Sequence, residues 1–89
     1  MYTLTNRLNV DEIFRKLSRK NPKQLEIISK KVEDILHDPY RFKPLSGIMK
    51  GFRRAHIDKS YVLTYSIDEE NKTVILEDYE HHDKIYRKR

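Results

Sequence analysis

The spacing of apolar residues differs between the two halves of this chain, and that difference limits the folds it can adopt. From Val10 to Leu36, apolar residues recur every three or four positions, which is the spacing of one helical face. From Phe52 to Tyr79, apolar and polar residues alternate as in a strand with one buried face. In 89 residues these two patterns predict a single domain over residues 1–89, with one helical layer on one sheet.

Two helices joined by a short link are predicted in the first half of the chain. Asn9 and Glu12 resemble a capping box at the start of the first helix, which extends to about Arg19. Asn21 and Pro22 suit the N-cap and the first position of the second helix. Because the link is so short, the helices are expected to form an antiparallel hairpin.

Four strands are predicted around this hairpin, and the last two form a hairpin of their own. Their expected ranges are Tyr2–Thr5, Phe52–Ile57, Tyr61–Ile67 and Thr73–Tyr79. The predicted class is therefore α+β. The N-terminal strand joins an antiparallel sheet, the helical hairpin covers one face of that sheet, and a short C-terminal tail follows the last strand.

The uncovered face of this sheet is expected to collect groups that suit phosphodiester cleavage. Alternation that turns Ala55 and Ile57 toward the helices leaves other side chains of the same strand on the opposite face. The residues expected to meet there are Arg54, His56, Lys43 from the preceding loop, and His82 and Tyr86 from the tail. One imidazole can take a proton from a hydroxyl, another can protonate the leaving oxygen, and cations stabilise the phosphate charge. Because RNA supplies its own 2′-hydroxyl nucleophile, no cofactor is needed.

Simpler interpretations of the same residues stay open. His56 alone is more often a half-buried strand histidine than a catalytic group. A run of cations usually marks only a solvated face, and this applies to Lys43, Arg53 and Arg54. Tyr61 can stack on an RNA base, as aromatic residues of RNA-binding proteins do, or can pack across strands. The residues alone favour a small basic α/β domain that contacts nucleic acid.

The tail also contains a histidine pair beside a carboxylate, which raises the possibility of a metal site. His81, His82 and Asp83 offer ligand atoms that divalent ions accept. Neighbouring residues on a strand point to opposite faces, and the pair lacks the spacing of a helical histidine motif. We therefore expect no metal here.

Charge and composition narrow the partners. Nineteen Lys and Arg against 14 Asp and Glu give a formal charge of +5, which favours polyanions such as nucleic acid. The absence of cysteine fits a reducing compartment, and the chain has no apolar stretch of the roughly 18 residues that a bilayer requires. We expect a soluble cytoplasmic protein with no membrane partner.

Four short segments carry a family likeness through their order and spacing. They are KPLSG at 43–47, GFRRAHI at 51–57, YVLTYSI at 61–67 and HDKIY at 82–86. Together they resemble the RelE/ParE superfamily of toxins from bacterial and archaeal toxin–antitoxin modules, most closely its YafQ-like branch of messenger-RNA interferases. The resemblance implies a RelE-like fold and a ribosome-dependent, metal-independent endoribonuclease that cuts messenger RNA in the A site. It also implies a cognate antitoxin as partner.

The resemblance also implies roles for particular residues. His56 and His82 match the catalytic histidines of that branch, Tyr86 matches its aromatic residue, and Lys43 replaces a loop histidine as a charge stabiliser. The residues expected to contact RNA are Arg53, Arg54, Tyr61 and Lys50.

One departure from the branch concerns its carboxylate. Ser60 stands where the branch has a catalytic carboxylate, so that role is either lost or taken by Asp58. Two other functions therefore stay open. One is a ParE-like protein that inhibits gyrase without catalysis, and the other is an RNA-binding relative with weak cleavage. The sequence does not decide which histidine is the general base.

Overall fold

A computed structural model describes residues 1–47 and 50–87, without the side chains of residues 86 and 87. Its two long helices and four strands follow the order that the apolar spacing predicts. In chain order they are β1 (Thr3–Asn6), α1 (Leu8–Lys20), α2 (Pro22–His37), a 3₁₀ helix (Pro39–Arg41), β2 (Arg53–Ile57), β3 (Tyr61–Asp68), β4 (Thr73–His81) and α3 (His82–Arg87).

The four strands form one sheet in the order β1-β4-β3-β2. Strands β2, β3 and β4 are antiparallel neighbours, as predicted. Strand β1 differs, because it pairs parallel with β4 and brings Thr3 opposite Thr73. Both strands start at the same end of the sheet, where the Thr3 N–H donates to the Lys72 carbonyl at 2.9 Å. The sheet is therefore mixed at this edge.

The two helix starts that were predicted from capping residues have different outcomes. The Asn21 side chain accepts from the Gln24 N–H at 3.2 Å and caps α2, which confirms the second prediction. The capping box at Asn9 is wrong, because α1 begins at Leu8 and has no side-chain cap. The Asn9 amide instead donates to the distant Glu77 carbonyl at 3.4 Å. A contact distant in sequence has replaced the local one.

The core lies between the helical hairpin and one face of the sheet. Val10 of α1 and Ile28, Val32 and Ile35 of α2 are buried against the apolar side chains of the strands. The strand residues in this core are Ala55, Ile57, Leu63, Tyr65, Val74, Leu76 and Tyr79. The outward faces of the helices are polar, and none of the helices described is long and apolar enough to cross a bilayer.

The segment between α2 and β2 is held against the outer edge of β2. The buried Tyr65 hydroxyl donates to the Pro39 carbonyl at 2.5 Å, which fixes the 3₁₀ helix. Further along, Pro44 bridges to Arg53, and the Arg54 N–H donates to the Lys43 carbonyl at 3.0 Å. This pairing occupies backbone groups that an edge strand would otherwise expose.

The C-terminal tail is a short helix. Strand β4 runs two residues past its predicted end to His81, and α3 then contacts β3 and β4. Val62 and Thr64 point away from the helical hairpin, yet both are fully buried, and Ile85 of α3 is buried as well. The face expected to be uncovered is thus partly covered by α3, and its exposed part lies toward β2.

Candidate active site

A cleft of about 310 Å³ opens at the outer edge of β2, and we call it the basic cleft. Every residue that lines it, apart from one phenylalanine, has a basic side chain. The lining residues are Lys31, Arg41, Phe42, Lys43, Arg54 and His56. Three of the residues predicted from sequence are therefore brought together here: Lys43, Arg54 and His56.

Backbone geometry explains how these three residues meet. Arg54 and His56 are two positions apart on β2, so both point away from the core face occupied by Ala55 and Ile57. Lys43 lies beside them because its carbonyl accepts the Arg54 N–H. The cluster is thus fixed by strand alternation and by one backbone pair.

The environment of His56 disfavours its protonated form. Partial burial lowers the pKa of His56 below its usual value of 6.5. The positive charges of Arg54, His82, Lys31 and Lys43 lower this pKa further, in that order. His56 is therefore neutral at pH 7 and has a free lone pair to accept a proton.

His82 has a different environment at the first position of α3. The backbone N–H of His82 donates to the Ser60 carbonyl at 2.9 Å, and this bond joins α3 to the end of the turn before β3. In the ring, Nδ1 lies 3.3 Å from the same Ser60 carbonyl, and Nε2 lies 3.2 Å from Oδ1 of Asp83. Both ring nitrogens thus lie near oxygen atoms that can accept a hydrogen bond. The positive charge of His82 is one of those that lower the pKa of His56, so the two histidines interact electrostatically.

The argument from sequence against a metal at the histidine pair is wrong in its geometry. Strand β4 ends at His81 and the chain turns into a helix at His82, so the two rings do not point to opposite faces. Their centroids are 4.8 Å apart. The ligand atoms of His81, His82 and Asp83 lie within 4.8 Å of one another, which makes these the residues that could hold a divalent ion in the described part of the chain.

Two residues predicted to contact RNA point away from His56. Tyr61 pairs with Ile57 across the strands and so lies on the helix side, where its ring stacks on Tyr79 with centroids 5.1 Å apart. Arg53 is also on the helix side, and its guanidinium donates to the Phe42 carbonyl at 2.6 Å and to that of Tyr40 at 3.2 Å. Cross-strand packing therefore accounts for Tyr61, and anchoring of the loop accounts for Arg53.

Two further residues predicted for the site are not part of the cleft as described. Lys50 is exposed beyond the bend at Gly47, whose carbonyl accepts the Lys50 N–H at 3.1 Å, and Lys50 does not line the cleft. Tyr86 belongs to α3, but its side chain is outside the described part of the chain. A contact of either residue with RNA stays a prediction.

Three residues of the cleft were not predicted from sequence as site residues. Lys31 is half-buried on α2, and Arg41 and Phe42 lie at and just after the 3₁₀ helix. The Phe42 ring holds both cations, with the Lys31 Nζ 5.5 Å and the Arg41 Cζ 5.3 Å from its centroid. The basic character of the loop was a partial signal for Arg41, whereas the helical pattern gave none for Lys31.

Comparison with known proteins identifies the family. Residues 5–86 match the family described as "ParE toxin of type II toxin-antitoxin system, parDE". The chain belongs to this toxin family. The toxin is also 45% identical over 89 residues to a protein of Methanocaldococcus jannaschii named "Putative toxin RelE4", covering all of this chain and 95% of the relative.

Solved structures place the toxin in the same fold. The YoeB/ParE toxin from Agrobacterium tumefaciens superposes with a TM-score of 0.82 at 17% identity, covering 90% of this chain and 98% of that one. The toxin–antitoxin complex RelBE2 from Mycobacterium tuberculosis gives a TM-score of 0.76 at 28% identity, with 90% and 96% covered. The predicted superfamily and α+β fold are confirmed, whereas the closer likeness to the YafQ branch stays a prediction.

Proposed function

We propose that this toxin is an endoribonuclease that cleaves messenger RNA in the ribosomal A site by attack of the substrate's own 2′-hydroxyl. The observation that carries the proposal is the position of His56 in the basic cleft, beside Lys43 and Arg54. His82 does not line the cleft, but its charge acts on His56. The relative named RelE4 supports a RelE-like activity. A ribosomal substrate places the toxin in the cytoplasm.

His56 is the general base in this proposal. Its lowered pKa leaves the imidazole neutral at pH 7, so it can take the proton of a 2′-hydroxyl. The same surroundings oppose the charge that His56 acquires on accepting that proton. Proton transfer to His56 is therefore favoured by the negative charge that develops on the phosphate. Neighbouring cations stabilise that negative charge.

His82 is the general acid in this proposal. In this role His82 is held through Nδ1, which lies 3.3 Å from the Ser60 carbonyl, and supplies a proton from Nε2, which lies 3.2 Å from Oδ1 of Asp83. That proton is the one available to a leaving oxygen. Asp83 thus orients His82, and it places a carboxylate near the site although Ser60 has replaced the carboxylate of the family pattern.

The cleavage step then balances without a bound metal. The 2′-oxygen forms a bond to phosphorus as His56 removes its proton, and the bond from phosphorus to the 5′-oxygen breaks as His82 supplies a proton. The products are a 2′,3′-cyclic phosphate and a 5′-hydroxyl end. Lys43 and Arg54 lie beside His56 in the cleft, where they can stabilise the charge on the phosphate oxygens.

A cognate antitoxin is the partner expected to neutralise this activity. The RelBE2 structure, 28% identical to this chain, is a toxin–antitoxin complex. The same fold with a similar share of each chain covered supports an equivalent partner here.

Mapping of messenger-RNA 5′ ends after controlled expression tests the proposal. The wild-type toxin is expected to create new 5′-hydroxyl ends within translated codons, and His82→Ala and His56→Ala are expected to remove them. Absence of new ends with a toxic wild-type protein would refute the ribonuclease.

A second function is favoured by one observation, since the matched family is described as ParE toxin. A ParE-like gyrase inhibitor would produce DNA breaks with intact messenger RNA in the same cells. An RNA-binding relative without cleavage would bind ribosomes and leave both nucleic acids intact. His56 and His82 argue for the ribonuclease, because a surface that only binds a partner has no need of two proton-transfer groups.

A further inference from the structure

The basic cleft contains more positive charge than the proposed cleavage step uses. Lys43 and Arg54 are assigned to the scissile phosphate, and His56 to the 2′-hydroxyl. Lys31 and Arg41 line the same cleft from α2 and from the 3₁₀ helix. Neither residue has a role in proton transfer.

The size of the cleft fits more than one phosphate. Its volume of about 310 Å³ is at the lower end of the range of roughly 300–1,000 Å³ for small-molecule sites, which is far larger than one phosphate needs. Part of a nucleotide chain can therefore occupy it. The positive charge of Lys31 reaches His56, so the two parts of the cleft share one electrostatic field.

Phe42 positions the two additional cations of the cleft. Its side chain is partly buried against the core. The Phe42 ring already contacts the Lys31 ammonium and the Arg41 guanidinium, at 5.5 and 5.3 Å from its centroid. These contacts hold two cations in place, and positioned cations bind phosphate oxygens.

We propose that Lys31 and Arg41, held by Phe42, form a second phosphate subsite that binds the RNA phosphate next to the scissile one. The inference rests on the proposed ribonuclease function and extends it to the recognition of the RNA backbone. It assigns the basic cleft to two consecutive phosphates. Lys43 and Arg54 bind the one that is cut, and Lys31 and Arg41 bind its neighbour.

Binding to an RNA that cannot be cut tests this subsite apart from catalysis. The probe is a short single-stranded RNA with a 2′-deoxy nucleotide at the cleavage position, and fluorescence anisotropy measures its affinity for the full chain. Lys31→Met keeps the aliphatic stem and removes the charge. The matched control is Lys30→Met, because Lys30 is exposed on the same helix, pairs only loosely with Glu26 at 4.0 Å and lies outside the cleft.

Lys31→Met is expected to weaken binding about five- to tenfold, as loss of one charge-assisted phosphate contact does. The slope of log Kd against log salt should fall by about 0.7, the value for one phosphate on a single strand. Lys30→Met should change neither quantity appreciably, and Lys31→Arg should restore both. Equal binding by Lys31→Met and Lys30→Met, including no measurable binding by either variant or by the wild type, would overturn the subsite.

A neutral methylphosphonate at each linkage that flanks the scissile phosphate then locates the contact. One of the two positions should weaken binding of the wild type and leave binding of Lys31→Met unchanged, because the contact is already absent in that variant. Equal losses in both proteins at both positions would also overturn the inference. Cleavage of ribosome-bound messenger RNA by the wild type is measured separately, so failure of the ribonuclease function is distinguishable from failure of the subsite.

Discussion

Charged side chains have different surroundings in two regions of this toxin. At the turn between β3 and β4, Glu69 accepts hydrogen bonds from the hydroxyls of Tyr2 and Tyr40, each at 2.6 Å, and from Lys72. We call these four residues the Glu69 cluster. In the basic cleft, by contrast, cations gather around His56 and lower its pKa.

The difference separates structural charge from functional charge. The Glu69 cluster joins the N-terminus, the 3₁₀ helix and the β3–β4 turn, and its hydrogen bonds lower the pKa of Glu69 to about 2. In the basic cleft, by contrast, the positive charges of Arg54, Lys31 and Lys43 disfavour the protonated form of His56. A polyanionic substrate would be attracted by this positive charge. The contrast predicts effects of different kinds and sizes in the two regions.

The largest effect is expected at the site itself. His82→Ala removes the proposed general acid and should slow cleavage of ribosome-bound messenger RNA by about 10²–10⁴-fold. His81→Ala is the matched control, since it removes a neighbouring imidazole with no part in the proposed step. Cleavage rates are measured by primer extension. A His82→Ala rate within a few-fold of the rate for His81→Ala would contradict the assignment.

The next effect concerns the element that joins the two regions. Tyr65→Phe removes the bond to Pro39 and leaves a buried carbonyl without its donor, at a cost of about 1–3 kcal/mol in the free energy of unfolding. The 3₁₀ helix held by this bond carries Tyr40 of the Glu69 cluster and Arg41 of the cleft. Urea denaturation measures the change. Unaltered stability would show that the bond does not anchor this segment.

The Glu69 cluster should give the protein an acid-sensitive stability. The pKa of Glu69 falls from 4.5 in the unfolded chain to about 2 in the fold, so its stabilising effect is present above pH 4.5 and is lost as the pH falls toward 2. Glu69→Gln should reduce this pH dependence. Urea midpoints of both proteins at pH 6 and pH 3 provide the measurement, and an identical change in wild type and variant would contradict the role of Glu69.

The smallest expected effect is a change in the titration of one histidine. Arg54 is the charge that most lowers the pKa of His56, so Arg54→Gln should raise that pKa toward 6.5. NMR titration of the His56 ring protons measures it directly. The acid limb of the pH–rate profile should move upward with it, because His56 must be neutral to act as base. A titration midpoint that stays fixed or moves down would exclude this electrostatic coupling.

The parts of the fold that depend on local spacing were predictable. Asn21 and Pro22 fixed the start of α2, and alternation along β2 placed Ala55 in the core and His56 outside it. Contacts distant in sequence overturned other predictions. Asn9 resembled a local cap, yet its amide binds Glu77 of β4. The parallel pairing of β1 likewise depends on where the last strand lies.

The candidate site divides along the same line. His56 and Arg54 follow from alternation on one strand, and the same alternation places Arg53 on the helix side with Ala55 and Ile57. Tyr61 lies on that side as well, because it pairs with Ile57. Lys31 could not be found in this way. The apolar spacing of α2 predicts which helix residues pack against the core, but not which of its polar residues line a site. The position of Lys31 in the cleft depends on Phe42, which belongs to a loop without a repeating pattern.

The most direct test of the central claim uses programmed ribosomes with a defined messenger RNA in the A site. Purified toxin is added to two messages that differ only in the 2′-hydroxyl of the nucleotide at the cleavage position. We expect the ribose message to be cut to a 2′,3′-cyclic phosphate and a 5′-hydroxyl end, and the 2′-deoxy message to stay intact. Cleavage of both messages, or of neither, would contradict a ribonuclease that uses the nucleophile of its substrate.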